Sequence, residues 1–149
     1  MLRPVQGKGT IIAIDYGLKR VGLACGDLSV RIAHPLTTIT ENNKNKKIKI
    51  IKDLMPKWQP ILWVVGIPFH VDGSHNDLTK PCLNFAKLLN QKTQLPVHLV
   101  DERYSSCLAH ELLNDNLVFG LKKKHILDQI AAQEILSSFF NEGSYQCIN

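Results

Sequence analysis

Hydrophobic positions along the chain alternate between short unbroken runs and longer stretches at helical spacing. The first run, Ile11-Ile12-Ala13-Ile14, lies between Gly9 and Gly17 and is too short for a helix, so it predicts a buried strand that ends on Asp15. Tyr16 to Arg20 then supply a turn, and Val21-Gly22-Leu23-Ala24 resumes the apolar pattern, which predicts a β-hairpin with Lys19 and Arg20 close to Asp15. Arg31 to Ile39 is β-branched enough for a third strand, and Pro35 makes that strand an edge or a bulged one. Three antiparallel strands therefore open the chain.

From Ile48 the spacing changes. Ile48, Ile51, Leu54, Met55 and Trp58 predict an amphipathic helix, with Lys44, Lys46, Lys47, Lys49 and Lys52 on its outer face. Such a charge run is more often a solvated face than a phosphate contact. Ile61 to Pro68 is a continuous apolar run, the mark of a central strand covered on both faces. The loop after it, Phe69 to Asp77, stands at the strand's carboxyl end, where α/β sheets usually hold ligands. His70 and His75 lie there without a third ligand nearby, so no metal site is assigned to them. Leu78, Phe85, Leu88 and Leu89 predict a second helix.

Leu95 to Val100 is a further strand that runs into Asp101, Glu102 and Arg103. Ser105 or Ser106 is suited to cap a following helix, and a strand end meeting a helix start with Arg103 between them suits a phosphate. Ile130, Ile135, Phe139 and Phe140 mark the last strong helix, in whose apolar first half Asp128 stands alone. Spacing leaves open whether that acid faces solvent or the sheet. Residues 1–9 and 142–149 carry no periodicity and are expected to be loose tails of one domain spanning 1–149.

Composition narrows the classes. A chain of 149 residues can bury a core without metals or disulfides, and its net charge of +5 favours a polyanion as partner. The four cysteines form no C-x-x-C pair, and no apolar run is long enough for a signal peptide or a membrane span, which together predict a cytoplasmic protein. Asp15, the pair Asp101 and Glu102, and Asp128 are far apart in sequence and can meet only through the fold. Convergence of that kind would suit two carboxylate-held divalent ions in phosphodiester cleavage.

Four segments together carry a resemblance: Ile14 to Ala24, Val64 to Pro68, Asp101 to Ser106, and Asp128 to Ala132. In this order they resemble the YqgF family, bacterial relatives of Holliday-junction resolvases named as pre-16S ribosomal RNA nucleases. The resemblance implies an α/β fold of the ribonuclease H-like kind, with a mixed five-stranded sheet of three antiparallel and two parallel strands flanked by helices. It implies Asp15, Glu102 and Asp128 as catalytic, metal-binding acids for Mg2+ or Mn2+, with Asp101 the weaker of its pair because strand neighbours point to opposite faces. Lys19, Arg20 and Arg103 would then contact phosphates. The implied activity is a metal-dependent nuclease acting on structured nucleic acid, chiefly in maturing the 5′ end of precursor 16S rRNA.

A four-way DNA junction is the second substrate, and the chain would act as a monomer or a homodimer. From another class, the chain could be a non-catalytic RNA-binding factor that keeps its ancestor's acids. An actin-like ATPase or sugar kinase ranks last, since such folds need two domains of this size. Cys107 and His110 lack an orienting partner for nucleophilic chemistry.

Overall fold

The computed structural model describes residues 2–4, 9–102, 120–141 and 144–148, with side chains described for 9–102 and 124–141. One mixed sheet runs through them. Its strands are β1 (Leu2–Pro4), β2 (Thr10–Tyr16), β3 (Arg20–Asp27), β4 (Ala33–Thr40), β5 (Pro60–Ile67), β6 (Val97–Asp101) and β7 (Ser144–Ile148). They lie in the order β1-β7-β6-β5-β2-β3-β4. The helices are α1 (Lys44–Lys52), α2 (Met55–Trp58), α3 (Thr79–Thr93) and α4 (Gly120–Asn141).

The body of the sheet is the expected one. β2, β3 and β4 are antiparallel neighbours, while β5 pairs parallel to both β2 and β6. Pro35 acts as its chemistry requires: β4 is the edge strand, and its register against β3 slips between Leu23 and Ala24. β1 and β7 extend the sheet to seven strands at the opposite edge. Both come from segments read as loose tails. Three residues are too few to show a period, and Gly143 and Ser144 suggest fraying at the point where β7 begins.

Side chains alternate across the sheet and so feed two cores. On one face Ile12, Ile14, Leu23, Trp63 and Val65 pack with Phe85 and Leu89 of α3 and Ile48 and Ile51 of α1. On the other, Ile11, Ala13, Leu62 and Val64 meet Ile135, Leu136, Phe139 and Phe140 of α4. Val64 and Val65 are both fully buried, as a central strand covered on two sides demands. The single helix expected through Trp58 is instead broken at Asp53, and α2 restarts with Pro56 in its first turn. A proline there lacks the N–H to continue α1 and clashes with the preceding turn.

Lys47 departs furthest from expectation. The lysine run predicts a solvated face, yet Lys47 is buried at 1% exposure, while Lys44, Lys46, Lys49 and Lys52 are exposed. The Lys47 ammonium is received by the Gly17 and Leu18 carbonyls, whereas Lys44, the same four residues before buried Ile48, stays in solvent.

Trp63 fills the centre of the first core, and its indole Nε1 donates to Thr93 Oγ1 at 2.8 Å at the end of α3. Replacing Thr93 with Val keeps the shape and strands that donor. Chemical denaturation of Thr93→Val should show a loss of about 1–3 kcal/mol, the cost of a buried unpaired polar group.

Candidate active site

Asp15 is the penultimate residue of β2 and stands opposite Gly22 in the β3 ladder. On its other side β5 runs parallel, with Ile14 against Val65 and Gly66 next along. A Cβ on Gly22 would run into the carbonyl oxygen of Asp128 and lie 2.8 Å from its Cβ. A Cβ on Gly66 would lie 2.6 Å from Glu102 Oε2 and against Ile135. The two glycines therefore open the space through which α4 brings Asp128, and the end of β6 brings Glu102, toward Asp15. Neither glycine stood out in sequence, where Gly22 falls within the second strand and Gly66 near the end of the central one, although a glycine inside an apolar strand is itself a sign of close backbone approach.

α4 is held in this place by more than packing. Thr38 Oγ1 on β4 donates to the His125 carbonyl at 2.8 Å, and Gln129 Nε2 donates back to Thr38 Oγ1 at 3.1 Å. Arg20 Nε donates to Asp128 Oδ2 at 2.8 Å, an ion pair between half-buried groups. The open question of which way Asp128 points is thereby answered: it faces the sheet. Glu102 is fixed through its backbone, whose N–H continues the ladder to Ile67 O at 3.2 Å.

An open cleft of about 440 Å³ is lined by Asp15, Leu18, Lys19, Arg20, Asp77, Leu78 and Asp128. Asp77 and Leu78 lie just before α3; the sequence reads Asp77 only as part of the loop after β5 and Leu78 only as an apolar position of the helix. Asp101 is exposed and lines a separate hollow with Phe69 and Leu83. Arg103, Ser105, Ser106, Cys107 and His110 lie outside the described residues. Among the described residues, no three His, Cys, Asp or Glu side chains are already grouped as a metal cage.

The acids nonetheless feel one another. Burial, then repulsion from Asp128, pushes the Asp15 carboxyl up from 3.8 to about 7, with Arg20 opposing the rise. Burial, then repulsion from Asp15 and Asp101, pushes Glu102 up from 4.5 to about 8. The buried thiol of Cys82, donating to Gly66 O at 3.3 Å, is raised by burial first and then by Glu102 and Asp15. Carboxyl groups thus crowd at one point of the sheet and resist ionising together, with Arg20 as the cation set against them.

T. thermophilus RuvC, solved in complex with a Holliday junction substrate, superposes with a TM-score of 0.57 at 14% identity, covering 93% of this chain and 99% of that one. The fold is therefore the ribonuclease H-like fold of the resolvases. The chain belongs to the RuvX family, described as Holliday junction resolvase, which matches residues 9–142. A relative from Neisseria meningitidis serogroup C, named "Putative pre-16S rRNA nuclease", is 44% identical over 142 residues, covering 95% of this chain and 94% of its own. One of the same name from Nitrosomonas europaea is 42% identical over 133 residues, covering 89% and 90%. The family is one of nucleases, which are phosphodiester hydrolases.

Two outcomes follow from the crowded acids. Asp15 and Glu102 titrate higher in the folded chain than in the unfolded one, so folding takes up protons between about pH 4 and pH 8. Their contribution to stability is therefore lost as pH rises through that window. In chelator, Asp15→Asn should melt at a higher temperature than the parent at pH 8, and the difference should vanish near pH 4. Gly22→Ala should cost about 1–3 kcal/mol in denaturant, because α4 must shift to admit the methyl group.

Proposed function

We propose that the chain is a divalent-metal-dependent nuclease for structured RNA, acting in the cytoplasm on the 5′ end of precursor 16S rRNA. The observation that carries this reading is the cleft in which Asp15 and Asp128 share a wall with Lys19 and Arg20. Acids that repel each other suit a cation, and cations at the same opening suit a phosphodiester. The names borne by relatives at over 40% identity supply the RNA substrate.

Asp15, Glu102 and Asp128 fit a divalent ion by their chemistry. All three are hard oxygen donors, and burial together with their mutual repulsion raises the protonation of Asp15 and Glu102, which a bound cation would reverse. Magnesium commonly takes only one or two protein carboxylates and completes its shell with water and substrate phosphate, so a closed protein cage is not required. Bound there, Mg2+ or Mn2+ would stabilise charge developing on the phosphate and make a water more acidic. Lys19, Arg20 and Arg103 hold the phosphates in place, and the Arg20 ion pair fixes the direction of Asp128.

The family description favours a second reading, cleavage of a four-way DNA junction. Junction cutting calls for two symmetric sites and hence a homodimer, whereas RNA trimming is open to a monomer. A purely RNA-binding role, without chemistry, would leave the crowded acids without a purpose.

Purified protein with Mg2+ or Mn2+ should cut a labelled precursor rRNA 5′ segment faster than a four-way junction. Asp15→Asn should lower that rate roughly a hundredfold or more, the scale of removing one group that organises a transition state. Faster cutting of the junction would move the substrate to DNA. Equal RNA binding by both proteins with no cutting of either substrate would support the binding factor.

A further inference from the structure

The turn between β2 and β3 carries Leu18 and Lys19 to the cleft, and such a turn leaves carbonyl groups unpaired at its tip. Here two of them are met by one distant side chain. Lys47 Nζ donates to Gly17 O at 2.9 Å and to Leu18 O at 2.7 Å, across about thirty residues of sequence. The same ammonium lies 4.7 Å from the centre of the Tyr16 ring, which in turn packs on Phe85 at 4.5 Å. A third tie comes from the loop before α1, where Glu41 N donates to Lys19 O at 3.0 Å. Leu18 stays 59% exposed although both carbonyls around it are anchored, so burial of this residue is not what holds the turn.

A buried ammonium is a demanding way to fill this space. Burial lowers its affinity for the proton, with Glu41 opposing, and an apolar residue of similar length would pack there without that penalty. What an apolar residue lacks is the pair of donors.

We propose that Lys47 is a positioning residue for nucleic acid: by clamping the Gly17 and Leu18 carbonyls it fixes the β2–β3 turn so that Lys19 meets a phosphate at the cleft. Lys47 itself does not touch the substrate. The inference rests on the phosphate-binding role given above to Lys19, and it adds a residue on a different element that sets how well that role is performed.

A double-mutant cycle separates this from general support of the fold. A labelled RNA hairpin with a single-stranded 5′ extension is titrated in EDTA across a salt series, using Lys47→Met, Lys19→Ala, the double variant and Lys46→Met. Lys47→Met and Lys19→Ala should each bind about tenfold more weakly, with a shallower salt dependence, and the double variant should be no weaker than either alone. Lys46→Met, which loses the same charge from an exposed site on the same helix, should change affinity less than about twofold.

Lys47→Gln, which keeps a donor, is carried through the same cycle, so that poor folding of Lys47→Met leaves the test intact. Additive losses would overturn the positioning role, as would a Lys46→Met loss equal to that of Lys47→Met. Full binding by Lys19→Ala would instead remove the phosphate role of Lys19, and the clamp with it.

Discussion

The structure depends on how closely α4 approaches the sheet at Gly22. Asp128 can stand beside Asp15 only because β3 has no side chain at the position paired with Asp15, and the helix backbone occupies that gap. Packing interiors are dense and yield little, so a methyl group there would move the helix as a whole. The apolar seam of Ile135, Leu136, Phe139 and Phe140 supplies the attraction that drives α4 onto this face. Thr38 and Gln129 set its position along the sheet. The site is thus an outcome of core packing: the same contact that buries apolar surface forces two acids together.

That contact has an electrostatic cost. Asp15 is hemmed in by apolar strands and faces Asp128 and Glu102, and a cluster of that kind holds protons near neutral pH that isolated carboxylates would release. Arg20 offsets part of the charge, and its ion pair with Asp128 also orients that acid. Strained charge of this kind is common where a site is built for a cation and a polyanion together. Lys19 on the turn and Arg20 at the start of β3 complete the pattern, since they place positive charge at the mouth of a cleft floored by carboxyl groups.

Much of this was legible before any coordinates. The apolar run ending on Asp15, the hairpin that follows, the central strand of Ile61 to Pro68 and the edge character given by Pro35 all arise from local chemistry, and the structure keeps each of them. The direction of Asp128 was not legible, because it depends on Gly22 more than a hundred residues away. Lys47 was hidden by its neighbours: a run of lysines looks uniform, Lys44 stands the same four residues before buried Ile48 yet is exposed, and only the distant Gly17 and Leu18 carbonyls single out the buried member. Strand β7 was concealed by Gly143 and Ser144, which suggest fraying, while pairing with β6 and β1 supplies what local propensity lacks. Local pattern named the elements, and long-range contact decided which faces met.

The central claim is that carboxylates converge on Asp15 to form a cation site. Titration of Mn2+ into the protein, followed by electron paramagnetic resonance at pH 8, tests it without requiring a substrate. The parent should take up Mn2+, Asp15→Asn should lose most of that affinity, and Lys19→Ala should keep it. Equal uptake by the parent and Asp15→Asn would place the cation elsewhere and contradict the account.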